Sequence, residues 1–130
     1  MSPTDRFKIT TVPGYAPEVG RLVCAMDRAR SRTLDAVKDL TQPQLDHLFD
    51  ANANSIGALL THIAAIETLH GILSLEKRMP TPDEMATWGA AFSLGDAARA
   101  SIKGKPLEHY LDLLARTREA LPEVTLVICE

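Results

Sequence analysis

The sequence predicts an all-α fold, organised as a helical bundle. Three stretches, near residues 17–40, 54–77 and 106–121, repeat apolar residues at spacings of three and four, which is the spacing of a helix face that packs on a core. Residues typical of helix N-termini precede these stretches. The 130 residues, of which 45% are hydrophobic, are enough for a single core. We therefore expect one helical domain over residues 1–130.

The first long helix is predicted to begin at Pro17, since proline is favoured in the first helical turn, after an arm formed by residues 1–13. Its apolar stripe consists of Val19, Leu22, Val23, Met26, Ala29, Thr33, Leu34 and Val37. The arginine-rich residues between them are expected to form a solvated face. Cys24 lies off the stripe and has no histidine near it in sequence, so a structural or incidental thiol is favoured over a nucleophile.

A short helical turn is predicted after the first helix. Thr41 and Gln44 have the spacing of a capping box, in which each side chain bonds to the other residue's backbone. Within the turn we expect Leu45 and Phe49 to pack inward and His47 to be exposed.

The second long helix has the strongest helical pattern in the chain, and Asn54 or Ser55 can cap its N-terminus. At about 100° per residue, one face is expected to carry Ser55, Ala58, Leu59, His62, Ala65, Ile66, Leu69 and Leu73. The opposite face is expected to carry Gly57, Thr61, Thr68 and Gly71. The first face is predicted to pack on other helices, with His62 at its middle.

Two interpretations of His62 are open from the residues alone. It can be a neutral core histidine whose ring nitrogens are hydrogen-bonded, or a metal ligand inside a bundle whose other ligands come from facing helices. The spacing between His62 and His70 does not decide between these interpretations. Residues eight apart are about 80° apart around a helix, so the two histidines are not an i, i+4 pair that could bind one metal ion.

An irregular crossover is predicted between the second and third long helices. Thr81, Pro82 and Glu84 form a second capping signal, followed by a helix to about Phe92 whose buried side should include Trp88. Such a crossover suits an up-down-down-up bundle. Pro106 then begins the third long helix, whose stripe is Leu107, Tyr110, Leu111, Leu114, Thr117 and Leu121. On this helix we expect His109, Arg116 and Arg118 to face water.

The segment Asn54–Glu67 resembles the second helix of the DinB-like family, the DinB and DUF664 group of helical bundles. The family pattern is Ser-Ile-Gly-x-Leu-Leu-x-His-Ile-Ala-x-x-Glu. Nine positions match it, namely Ser55, Ile56, Gly57, Leu59, Leu60, His62, Ile63, Ala64 and Glu67. Trp88 and the Leu94-Gly95 pair extend the resemblance, which covers residues 15–121.

This resemblance implies a DinB-like four-helix bundle and a metal site. In the family the histidine at the position of His62 is one of three ligands for a divalent metal such as zinc or nickel, and a histidine pair on the last helix supplies the others. Here the residues after Leu121 are β-branched and apolar, without helical amphipathicity or a histidine pair. We therefore expect the fourth helix to be missing and the chain to be a truncated or frame-shifted member.

Two functions follow from these expectations. The resemblance implies a metal-dependent enzyme, in some members a thiol-dependent transferase or hydrolase. A metal held by three imidazoles, with one open position, would polarise a carbonyl or lower the pKa of a bound water or thiol. The alternative is a non-catalytic helical domain. Three helices of a four-helix bundle leave an apolar groove open, and a homodimer would cover it.

The charge and composition of the chain limit the classes of partner that we expect it to bind. The formal net charge of −3 with no basic block is unfavourable for binding nucleic acid or an anionic membrane. The N-terminus has no apolar signal region, and no uninterrupted apolar run reaches the length of a bilayer span. The two cysteines, Cys24 and Cys129, have no motif spacing, so we expect a cytoplasmic protein.

Overall fold

The computed structural model describes residues 4–120, which form six α-helices and no strand. In chain order these are α1 (Pro17–Val37), α2 (Gln42–Asp46), α3 (Ile56–His70), α4 (Pro82–Ser93), α5 (Gly95–Ser101) and α6 (Leu107–Ala120). A 3₁₀ turn (Asp5–Phe7) precedes α1, and a π-helical segment (Gly71–Leu75) continues α3. The predicted all-α class is confirmed. The expectation of a missing fourth helix after Leu121 concerns residues outside the described part.

The chain divides into two compact units, one ending at Asp39 and the other beginning at Leu40. In the first unit the N-terminal arm lies along α1. The backbone of Val12 is so close to Gly20 that a Cβ there would stand 2.7 Å from the Val12 nitrogen. The Thr10 backbone N–H donates to Cys24 Sγ over 3.5 Å. Cys24 is consequently buried, with 7% of its surface exposed. Its predicted place off the packed stripe is wrong, whereas a structural thiol agrees with its burial.

In the second unit, local capping defines the helix starts as the sequence predicts. Thr41 and Gln44 form a capping box at α2, with the Thr41 N–H donating to Gln44 Oε1 over 2.9 Å. The Ala58 N–H donates to Ser55 Oγ over 3.0 Å at α3, and Thr81 and Glu84 form a second capping box at α4. Because these bonds join residues three apart, the sequence alone identifies them.

Helix α3 is the centre of the second unit and packs against α2, α4 and α6. Its packed face differs from the predicted one. Leu59 and Leu73, both predicted to be inward, are 43% and 39% exposed, whereas Gly57, predicted on the opposite face, is buried. The buried positions of α3 and its π-helical continuation are Gly57, Ala58, Leu60, Ala64, Ala65 and Ile72. The helix therefore buries a face rich in small residues.

By length and composition alone, the 20-residue segment Ile56–Leu75 could also cross a membrane. A central helix of a globular unit has the same composition, and this one contacts three other helices of its unit. Its acidic residue, Glu67, is paired with Arg118 of α6. Within the described residues, 33% of its most apolar 18-residue window is buried.

The expectation that Phe49 packs inward is wrong. Leu45 is fully buried as predicted, but Phe49 is 93% exposed, and its ring meets the ring of His47 edge to face at 5.4 Å between centroids. The reason is that α2 ends at Asp46, so Phe49 lies in the loop after the helix and no longer follows the helical period that directs Leu45 inward.

Candidate functional site

His62 connects α3 to α4 through its ring. The side chain is half-buried, and Nδ1 lies 2.6 Å from the backbone oxygen of Ala91. Because a carbonyl oxygen only accepts hydrogen bonds, Nδ1 carries the proton and donates it. In the neutral ring Nε2 then keeps its lone pair, which is the tautomer that a metal-ligating histidine needs. The same hydrogen bond is equally expected of a core histidine that has only a structural role.

The other three histidines do not gather around His62. His47 and His109 are exposed as predicted and His70 is exposed at the end of α3. His47 contacts Phe49, and His109 contacts Tyr110 at 5.2 Å between ring centroids. Within residues 4–120, no group of three or more His, Cys, Asp or Glu side chains could hold a metal ion. These residues therefore do not fit a complete metal site, and His62 as a ligand stays a prediction.

A groove of about 550 Å³ lies between α4 and α6, and α3 with its π-helical continuation forms its floor. Its apolar lining includes Ile72, Leu75, Trp88, Leu113 and Ala120. The volume is within the range of protein binding sites, roughly 300–1,000 Å³. π-Helical segments are rare and often occur at functional sites. We take this groove as the candidate binding site of the described residues 4–120.

Three glutamates that line the groove form ion pairs with arginines. Glu67 of the floor accepts from Arg118 over 2.7 Å, and the two side chains are only 13% and 21% exposed. Arg118 was expected to face water, so the pair corrects that expectation. At the end of the floor, Arg78 donates to both oxygens of Glu84 over 2.7 and 2.8 Å and to Glu76 over 2.6 Å.

Arg116 also lines the groove, on the α6 side. It is exposed and has no ion pair or hydrogen bond with any residue of the described part 4–120. One guanidinium on the groove is thus available to a binding partner.

The Arg78–Glu84 pair gives a pH-dependent prediction. Hydrogen bonds from Arg78 and from the Thr81 backbone lower the pKa of Glu84 to about 2, from an ordinary 4.5. Because the folded-state pKa lies below the unfolded-state value, the pair's stabilisation is complete above about pH 4.5 and is lost as the pH falls towards 2. Glu84→Gln should therefore lower the free energy of unfolding near neutral pH, and its difference from the wild type should shrink over this range.

Urea unfolding at several pH values measures this difference. Glu108→Gln, at an exposed glutamate in the first turn of α6, is the matched control and should show no such convergence. A Glu84→Gln deficit that stays constant down to about pH 2 would contradict the assignment of the lowered pKa to this pair.

Among residues 4–120, Tyr110 of α6 is the largest fully buried side chain, and it packs on Gly57 of α3. A Cβ at Gly57 would lie 2.5 Å from Tyr110 Oη, so only glycine allows this approach. Tyr110 Oη and Asp46 Oδ1 are both buried without a hydrogen-bond partner among the described residues. Burial raises the pKa of Tyr110, and the charge of Asp46 adds to the effect.

A family comparison identifies the fold to which these features belong. The model of the DinB superfamily matches residues 25–124. The chain belongs to the DinB superfamily. The match covers most of α1 and all of α2–α6, and it confirms the family that the His62 segment indicated. A comparison with curated proteins finds no match.

The sequence anticipated only part of the site in this DinB-superfamily chain. It indicated His62 but not Ala91, because the partner is a backbone oxygen 29 residues away that any residue type supplies. It placed Trp88 in the crossover helix but gave no sign of the Glu67–Arg118 pair, apart from a glutamate in an otherwise apolar helix. A charged residue in such a helix generally needs a partner, and that signal could have indicated the pair.

Proposed function

We propose that this DinB-superfamily chain is a non-catalytic binding domain, and that the α3–α4–α6 groove receives an apolar helical surface of a protein partner. The observation that carries the proposal is the groove itself, an apolar floor of Ile72 and Leu75 beside Trp88 and Leu113. Three large apolar side chains on the same part of the sequence, Leu73, Met79 and Met85, are 39%, 75% and 45% exposed. Exposed apolar surface often marks interaction sites.

The charges support a protein partner over a nucleic acid. The groove and its pairing residues present three carboxylates, from Glu67, Glu76 and Glu84, and three guanidiniums, from Arg78, Arg116 and Arg118. A charge-balanced surface gives no electrostatic attraction for a phosphate backbone. An apolar centre with charged residues at its edge is typical of protein interfaces.

Binding of an apolar dye, anilinonaphthalene sulfonate, tests whether the groove is an accessible apolar site. Dye emission should rise on binding, and energy transfer should occur from Trp88, which is the single tryptophan of the chain. Ala120→Phe places a ring in the groove and should weaken dye binding. Ala115→Phe, on the same helix and exposed but outside the groove, should not. Equal dye binding by both variants would refute the groove as the apolar site.

A metal-dependent transferase or hydrolase is the second candidate, and one observation favours it. The His62 Nδ1–Ala91 bond leaves Nε2 in the state that binds a metal. Further ligands would have to come from outside residues 4–120 or from another subunit, since the described residues supply no complete group.

Metal analysis decides between the two candidates. Because one imidazole supplies only a small part of the binding free energy of a three-ligand site, we expect the purified chain to lose zinc and nickel on dialysis at neutral pH. His62→Ala should change the free energy of unfolding more than the metal content. His70→Ala, at an exposed residue of the same helix, is the control. One tightly held metal per chain that disappears in His62→Ala would overturn the non-catalytic proposal.

A further inference from the structure

We infer that the helix received by the groove carries a carboxylate that pairs with Arg116, so that the partner is an acidic amphipathic helix of another protein. This inference rests on the binding function proposed above and names the chemistry of its partner. It follows from the place of Arg116 on the α6 side of the groove and from the ion pairs that the carboxylates of the groove already form.

Arg116 lies within the stripe of α6 that borders the groove. The stripe consists of Leu113, Arg116, Thr117 and Ala120, whose spacing is that of residues on one helix face. Its other members are apolar or small, and the Thr117 hydroxyl donates to backbone oxygens of its own helix. A helix packed along this stripe therefore covers the Arg116 guanidinium together with its apolar neighbours.

A covered guanidinium needs a carboxylate. Removal of water from an ionised side chain is costly unless the charge is paired and hydrogen-bonded. Arginine stays charged at neutral pH, and its planar set of N–H donors matches the two oxygens of a carboxylate. An apolar helix without an acid at this position would leave Arg116 covered and unpaired, so it would bind weakly.

The groove itself does not supply this carboxylate. Its three glutamates are each paired with an arginine other than Arg116, namely Glu67 with Arg118 and both Glu76 and Glu84 with Arg78. An acid for Arg116 inside a filled groove therefore has to come from the partner.

Two acids of α6 are also near Arg116 in sequence. Asp112 precedes it by four residues and Glu119 follows it by three. Neither is bonded to Arg116 within the described residues, and neither lines the groove. Exposed pairs between residues one turn apart are weak, so these acids would not displace a carboxylate held inside the interface.

Three synthetic helical peptides test the inference. They share one stripe of leucines and lack tryptophan, and they carry glutamate, glutamine or lysine along both edges of the stripe. Trp88, the single tryptophan of the chain, lines the groove and reports binding through its emission. We expect the glutamate peptide to bind about tenfold more tightly than the glutamine peptide, and the lysine peptide to bind most weakly. The net charge of −3 favours the opposite order, so this preference would report the local site.

Variants of the chain assign the preference to Arg116. Arg116→Gln should remove the preference for the glutamate peptide, and Arg116→Glu should reverse it in favour of the lysine peptide. Lys105→Gln is the matched control, because it removes one positive charge at an exposed residue outside the groove, and it should keep the wild-type order. Arg116 is exposed, so its variants should retain the fold, which circular dichroism checks.

The outcomes separate this inference from the function on which it rests. Equal affinity of the glutamate and glutamine peptides would overturn the acidic partner, while the groove would remain a site for an apolar helix. A glutamate preference that survives in Arg116→Gln would overturn the role of Arg116. If sedimentation equilibrium shows that the peptides compete with self-association of the chain, a second copy occupies the groove and the inference is wrong. If none of the peptides binds, the proposed function fails as well.

Discussion

Gly57→Ala should destabilise the protein by about 1–3 kcal/mol, the range for overpacking a closely packed core. The added Cβ would lie 2.5 Å from Tyr110 Oη and 2.7 Å from Tyr110 Cζ. The tyrosine side chain is fully buried, so it can move away only by displacing its packed neighbours. Separation of α3 from α6 would relieve the contact only by exposing the core. Urea unfolding followed by circular dichroism measures the loss.

Two further variants make the test specific. Gly71→Ala is the matched control, because a Cβ there meets only Leu75 Cδ1 at an ordinary 3.8 Å, and the higher helix propensity of alanine should stabilise by up to about 1 kcal/mol. Tyr110→Phe removes a buried hydroxyl that has no partner among the described residues, and it should recover part of the Gly57→Ala loss. Equal effects of Gly57→Ala and Gly71→Ala would contradict the close contact.

Arg118→Leu should cost about 2 kcal/mol by removing the guanidinium that pairs with the largely buried carboxylate of Glu67. Loss of one partner of a fully buried pair costs roughly 3–5 kcal/mol, and a smaller effect is expected here because the two side chains retain 13% and 21% exposure. The physical cause is the desolvation of Glu67, which α6 covers. Thermal or urea unfolding would show the loss as a lower midpoint.

The double variant Glu67→Leu/Arg118→Leu should be more stable than Arg118→Leu, because the largely buried carboxylate is removed with the guanidinium, and replacing both partners of a buried pair by apolar residues is often nearly neutral. Arg21→Leu, at an exposed arginine of α1, should stay within about 0.5 kcal/mol of the wild type. If the double variant loses as much free energy of unfolding as Glu67→Leu and Arg118→Leu lose together, the two residues do not act as a pair.

Much of the fold could be predicted because its signals are local. The caps at Thr41, Ser55 and Thr81 depend on residues three positions away, and proline fixes the first turn of α1 and α4. The family could be recognised for the same reason, since the nine matching positions around His62 lie in one continuous helix. Local hydrogen bonds therefore determined where the helices begin, and a local sequence pattern indicated the family.

The candidate site could be predicted only in part. The sequence indicated His62 and an open apolar groove, but Ala91, Arg118 and the fully buried Tyr110–Gly57 contact join residues far apart in the chain. Their partners depend on which helices lie side by side, and apolar periodicity does not specify that.

The packed face of α3 shows most clearly what the tertiary structure decided. The helix is apolar on nearly all sides, so its hydrophobic pattern favoured the larger side chains of Leu59 and Leu73 for the interior. In the structure these are partly exposed, while Gly57 and Ala64 are buried. Small residues let neighbouring helices approach closely, and Tyr110 of α6 fills the space above Gly57. The sequence by itself determined that α3 is a helix with a capped start. The side chains of α6 decided which face of α3 is buried, because close packing depends on the side-chain volumes of both helices.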